Sequence, residues 1–453
     1  MNQTKKIDMT NGPIAKLVFL FALPIVIGNI LQQLYNAVDM LVIGNFCGSE
    51  SLAAVGTSAY PVELLLCVFM GLGTGVSILV SQCTGGGDTA RLKKVISTAV
   101  TFLYLCAIPL SIIGFFIVPP FLKMMQVPEE AFALSVSYTR IVFMGTLGNL
   151  GYNMNAGILR GVGDSRSSLL FLLISCIINI VLDLVFVAGF HMDATGAALA
   201  TSIAMYASWL FSIVYLKRKY PDLEYHALPR TIDRSILSSI LKIGVPLGLN
   251  HSLYSVGHIL VQSLVNAQGY AFMAACSVGN KVSSIANVSI NALASAGTTF
   301  AGQNLGAGNY DRLKKGSLRI PLSAGLITIS AASVILIFCR PILGLFTPDQ
   351  AVVEMAARYH TYVILPFTWC YAIFTCIINY VNGIGIIKYP TIINLLMLWA
   401  VRIPCAYLIA HYINGYYVMA SVPVSFFFGL AGMLSLYATK YWKRIVQGPQ
   451  PPK

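Results

Sequence analysis

Long apolar stretches, separated by short polar segments, recur along the whole chain. A helix of about 20 apolar residues crosses a hydrocarbon core of ~30 Å. Twelve stretches reach that length, at about 16–44, 52–82, 95–118, 130–158, 167–190, 195–216, 238–267, 271–300, 318–338, 353–383, 389–412 and 417–440. The pattern predicts an all-α membrane protein with twelve transmembrane helices. The first stretch is too long for a signal-peptide core and lacks a small-residue cleavage site, so it reads as a first span.

An even number of spans puts both termini on one side of the membrane, and the basic residues choose the side. Lys16 precedes the first span. Arg91, Lys93 and Lys94 follow the second, Arg160 and Arg166 the fourth, and Lys217, Arg218 and Lys219 the sixth. Arg312, Lys314 and Lys315 follow the eighth and Lys388 the tenth. The opposite loops hold little more than Lys123 and Arg340. This bias predicts cytoplasmic termini in a cytoplasmic (inner) membrane.

The chain also repeats itself. The segment SQCTGGGDTARLKK (81–94) aligns with GQNLGAGNYDRLKK (302–315) at an offset of 221 residues. The same offset carries Tyr138 onto Tyr359, and one more residue carries Pro24 onto Pro246. The repeat holds six spans, so the halves should share one orientation and be related by a pseudo-two-fold axis along the membrane normal. The expected organisation is an amino-terminal six-helix lobe (1–216), a cytoplasmic linker (217–237), a carboxy-terminal lobe (238–440) and a cytoplasmic tail (441–453).

Composition agrees with the pattern. The chain is 57% hydrophobic, 10% charged and has a mean hydropathy of +0.76. A soluble domain carries about 25% charged residues. The net charge of +13 sits in short clusters between spans, as juxtamembrane anchors do, which argues against nucleic-acid binding. The ten cysteines include no CxxC pair and read as packing residues.

Ionisable residues are costly in hydrocarbon, at about 2.5–3.5 kcal/mol or more. The few found in the spans, Asp39, Glu63, Asp183, Lys281 and Arg402, are therefore functional candidates. Counted along their helices, Asp39, Asp183 and Thr201 fall at a similar depth in the outer half, and Asn179 shares a helical face with Asp183. Two carboxylates, an amide and a hydroxyl make a hard oxygen set that suits Na⁺, and a desolvated carboxylate pair equally suits a shared proton. The plainer reading is that Asp39 caps a helix end and Asp183 bonds nearby backbone, but it leaves the common depth unexplained. The second half has Leu260 or Val261, Ala400 and Pro404 at the equivalent positions, so a cation-coupling site would belong to the first half alone. His251 and His258 are seven residues apart and read first as packing residues. Polar candidates for a substrate cavity are Gln32, Asn36, Glu63, Asn250, His251, Tyr254 and Lys281.

Several segments then point to a family: ALPIVIGNILQQLYNAVDMLVIG (22–44), GLGTGVSILVSQ (71–82), ILRGVGDSR (158–166), NIVLDLVFVAGF (179–190), GAALATSIA (196–204) and FAGQNLGAGN (300–309). In their order and spacing the chain resembles the multidrug and toxic compound extrusion (MATE) family, in its DinF-like branch. The resemblance implies two six-helix lobes with alternating access, exporting organic, often cationic or amphipathic, compounds in exchange for H⁺ or Na⁺, without another cofactor. It carries the amino-lobe cation site onto Asp39, Asn179, Asp183 and Thr201, a bending proline onto Pro24, and a span-4 asparagine onto Asn155 rather than Asn153. Another branch has acidic residues on spans 7 and 10. This chain has none there beyond Glu354 near an outer end, which argues against carboxy-lobe Na⁺ coupling.

The expected unit is a monomer in contact with membrane lipids. A flippase for a lipid-linked precursor is the alternative, and it would need several basic residues in the cavity, where only Lys281 and Arg402 are available. No HExxH motif, nucleophile elbow or His/Asp cluster supports an enzyme.

Overall fold

The computed structural model describes residues 6–124, 127, 129–347 and 349–447, and among these there are helices and no strands. In lipid every backbone polar group must be satisfied within the chain, and a helix does so locally. The helices are α1 (Ile14–Phe46), α2 (Gly48–Gly86), α3 (Thr89–Met124), α4 (Glu129–Met144), α5 (Thr146–Gly161), α6 (Ser165–Asp183), α7 (Asp193–Lys219) and α8 (Arg234–Asn266). They continue with α9 (Tyr270–Gly306), α10 (Tyr310–Ile337), α11 (Cys339–Gly344), α12 (Gln350–Tyr359), α13 (Thr368–Gly383), α14 (Lys388–Leu395), α15 (Ile403–Leu408), α16 (Ser421–Ala438) and α17 (Lys440–Gln447).

Helix underlies each of the twelve expected stretches. Among the described residues, seven helical segments are long and apolar enough to cross a bilayer, or eight if α4 and α5, bent by 44°, form one span. The segment Lys388–Ala438 covers two of the expected spans. α8 and α9 fall outside this set because polar residues such as Asn250, His251, Gln262, Asn280 and Lys281 dilute their apolar runs.

The chain forms two compact units, one of Met1–Lys6 with Ile27–Gly248 and the other of Ile7–Val26 with Leu249–Lys453. Two of the passages between units lie inside helices, each two residues beyond a proline, Pro24 in α1 and Pro246 in α8. Both helices run unbroken through these positions although proline removes one intrahelical bond.

In the first unit, α5 packs between α2 and α7 through small residues. A Cβ at Gly148 would come within 2.8 Å of Tyr206 N, and one at Gly151 within 2.3 Å of Trp209 Nε1, so α7 can lie this close only against glycine. The linker is strapped to this unit. Lys93 Nζ meets Glu224 Oε1 at 2.8 Å, Tyr220 donates to Asp164 Oδ2 at 2.7 Å, and Tyr225 donates to Asn155 Oδ1 at 2.9 Å. The exposed Glu224 carboxylate is held below its ordinary range by the Lys93 hydrogen bond.

In the second unit the core joins the amino-terminal residues Met9, Ile14, Val18 and Phe21 to α9, α10, α13 and α16. Met9 N donates to Gln303 Oε1 at 3.1 Å, and Met9 O accepts from Asn304 Nδ2 at 3.0 Å and Arg312 Nε at 3.1 Å. The repeated segment thus does one job twice. Its first copy holds the linker that leads into α8, through Lys93, and its second copy holds the segment that leads into α1.

Candidate functional site

Tyr35 and Asp39 stand one turn apart on α1, as Asn179 and Asp183 do on α6. Immediately after Asp183 the helix widens into a π-helical turn, Leu184–Gly189. Such turns are often found at functional sites. Thr201 lies on the third turn of α7. All five residues belong to the first unit.

Asp183 and Asn179 are buried, with 0% and 1% of their surface exposed. The carboxyl groups of Asp39 and Asp183 lie in hydrogen-bonding contact. With its amide nitrogen toward Asp183, Asn179 donates to Asp183 Oδ2 at 3.0 Å and accepts from Thr201 N at 3.3 Å and Thr201 Oγ1 at 3.2 Å. The Tyr35 hydroxyl bonds Thr201, and Tyr138 lies beside the pair. Tyr138 also packs against an apolar cluster that includes Val42, Ile43, Val187 and Ala197. The Oδ1 atoms of both aspartates are buried without a hydrogen-bond partner. Two ionised carboxylates in this setting repel strongly, so the contact calls for a proton or a cation between them.

The oxygens fit these two guests unequally. A proton needs only the two carboxyl groups. A bare cation needs a full oxygen shell. Here the Asn179 oxygen is already engaged by two Thr201 donors, which leaves the two aspartate Oδ1 atoms as the uncommitted buried oxygens of this group. No cluster of three or more His, Cys, Asp or Glu side chains occurs among the described residues.

Asn155 does not join the group. Its amide donates to Ser212 Oγ at 2.8 Å and accepts from Tyr225, on the linker side of α5. Gln32 and Asn36 are exposed on α1. The Glu63 side chain lies outside the described residues. In the second unit Asn250 accepts from Asn394 at 2.9 Å, Tyr254 accepts from Arg402 at 3.3 Å, His251 is exposed, and Lys281 is exposed with its ammonium 5.6 Å from the Phe346 ring centroid. Tyr35 and Tyr138 are the members of the first-unit group that reading the sequence missed. The four-residue spacing of Tyr35 and Asp39 was the available signal for the first.

A family model described as MatE matches residues 24–185 and 246–408, one copy in each half. The chain belongs to the MATE family. It is 33% identical over 406 residues to the probable multidrug resistance protein YoeA of Bacillus subtilis (strain 168), covering 87% of this chain and 86% of that protein. It is 25% identical over 349 residues to the multidrug export protein MepA of Staphylococcus aureus (strain NCTC 8325 / PS 47), covering 76% of each. A solved structure described as the outward-facing conformation of a multidrug resistance MATE family transporter superposes with a TM-score of 0.86 at 23% identity, over 97% of this chain and all of that one. MATE proteins are transporters, so this chain is a multi-pass membrane transporter of small molecules and not an enzyme.

Proposed function

We propose that this MATE protein exports organic compounds, cationic or amphipathic ones among them, across the cytoplasmic membrane in exchange for protons taken up at Asp39 and Asp183. The carboxyl contact between these two residues carries the reading. One proton can be shared there, its loss leaves two like charges that must separate, and separation moves α1 relative to α6. Asn179, Thr201 and Tyr35 hold the pair in register. The names of YoeA and MepA support drug resistance and export as the outcome. The loop charges support cytoplasmic termini.

A lipid flippase is the weaker reading. Lys281 is exposed, and Arg402 is buried among aromatic rings, so these two do not form a basic cluster. Proteoliposomes loaded with a cationic dye test the proposal. An imposed proton gradient should drive dye movement that Asp39→Asn abolishes. Movement driven by a sodium gradient at equal pH would replace H⁺ with Na⁺, and movement with neither gradient would defeat coupling altogether.

A further inference from the structure

The second unit contains a buried charge that the proposed proton site does not use. Arg402 ends a π-helical turn, Leu396–Arg402, and is 2% exposed. Its Nε donates to Ser425 Oγ at 2.9 Å and its Nη1 to the Tyr254 hydroxyl at 3.3 Å. The Phe426 ring stands 5.2 Å from the guanidinium carbon and the Tyr254 ring 5.9 Å. Tyr371 packs on Phe426 with ring centroids 4.8 Å apart, and His258 packs on Tyr254 at 5.0 Å. The remaining nitrogen, Nη2, is buried without a hydrogen-bond partner.

Among the described residues of this unit no carboxylate pairs with the Arg402 guanidinium. The acidic residues of the unit are Asp8, Asp311, Asp349 and Glu354, all of them exposed. Asp8 binds Thr10 and Asn11, Asp349 caps α12, and Glu354 pairs with Arg340 at 2.9 Å. A guanidinium offers five N–H donors and no acceptor. Its planar fork matches a carboxylate or phosphate oxygen, and its flanking rings offer flat apolar contact.

We propose that Arg402 is the anchor of a second binding site, one for an oxyanion, carboxylate or phosphate, carried on an aromatic or amphipathic molecule. The oxyanion takes Nη2, and the apolar part of the molecule lies against Phe426 and Tyr254. Tyr254 is half-buried and His258 exposed, so entry is from their side, by a swing of the Tyr254 ring away from the guanidinium. The site is confined to the second unit and does not depend on which ion drives transport. It extends the substrate range to acids and zwitterions, or it holds an anionic lipid headgroup.

Binding to the purified full-length protein in dodecyl maltoside tests this without any transport assay. Phenyl phosphate and benzoate are the probes, and benzyltrimethylammonium is the control of opposite charge. The wild type should bind phenyl phosphate and gain thermal stability from it. Arg402→Gln should weaken that binding at least tenfold and leave the control unaffected, and Arg402→Lys should fall between. If Arg402→Gln does not fold, Tyr254→Ala keeps the charge and removes one wall, and it should erase the preference for phenyl phosphate over inorganic phosphate. Equal phenyl phosphate affinity in wild type and Arg402→Gln, or an unchanged preference in Tyr254→Ala, overturns the proposal. Adding phosphatidylglycerol to the micelles separates the two sources of the anion: competition with phenyl phosphate assigns the site to a lipid headgroup, and its absence to soluble acids.

Discussion

The two halves of this transporter bury opposite charges on corresponding helices. Among the described residues, two aspartates of the first unit meet without a paired basic side chain, and in the second one arginine lies among rings without a paired carboxylate. At the repeat offset Arg402 falls on Val181, two residues before Asp183, and a π-helical turn lies next to each charge. The prolines at the passages between units and the motif that straps the preceding segment also recur in both halves. Duplication therefore preserved what the backbone needs, because helix packing and segment anchoring serve any cargo. The side chains at the widened turn diverged, because a buried charge serves one kind of guest and repels the other.

Neutralising the first unit's pair gives the largest expected effect. Asp183→Asn and Asp39→Asn should each keep the protein folded and abolish proton-driven dye export, since an amide keeps the size and loses the titrating group. Coupling between two binding events is typically worth about 1–3 kcal/mol, or roughly 5–150-fold, and all of it should vanish. Export measured in proteoliposomes that stays within a factor of two of wild type would sever the pair from coupling and end the contrast between the units.

The prolines offer a sharper comparison, since they are repeat partners at equivalent passages. Proline in a helix interior costs about 3 kcal/mol or more, which keeps bent and straight forms close in energy. Pro24→Ala should slow turnover by about tenfold or more while dye binding changes little, because α1 carries Asp39. Pro246→Ala lies on a helix without an acid and should leave the proton dependence of turnover intact. Turnover in Pro24→Ala equal to that of wild type would make the proline a plain packing residue.

Much of the fold was legible because a bilayer imposes a length and a polarity on every crossing segment, and because the repeat could be aligned by residues such as Gln82 and Gln303. The grouping of Asp39, Asn179, Asp183 and Thr201 was legible too, since the four could be placed at a common depth by counting along helices. Counting gives depth but not the direction in which a residue points. Asn155 lies on a suitable helix, yet its amide turns to Ser212 and Tyr225. Arg402 stood out as a buried charge, but its setting depends on Tyr254, Phe426 and Tyr371, which come from three other helices. No spacing along the chain connects them.

A smaller effect is expected from Tyr35→Phe, which keeps the ring and removes the hydroxyl that bonds Thr201. One neutral hydrogen bond is worth about 0.5–1.5 kcal/mol, so the apparent affinity for the driving ion should fall roughly two- to tenfold. A titration of export against the size of the gradient reads this directly. No shift would confine the group to Asp39, Asn179, Asp183 and Thr201.

Asn155→Ala should affect transport least, and it separates the ion site from the scaffold that supports it. The substitution deletes the bond to Ser212 and leaves the Tyr225 hydroxyl without its acceptor, with both partners buried. Leaving buried polar groups unsatisfied costs about 1–3 kcal/mol, which should appear as a melting temperature lowered by a few degrees and as faster proteolysis of the linker around Tyr225. The dependence of export on the driving ion should not move, because the Asn155 amide is taken up by Ser212 and Tyr225 rather than by either aspartate. A shifted ion dependence with unchanged stability would return Asn155 to the cation site and would mean that α5 turns between states.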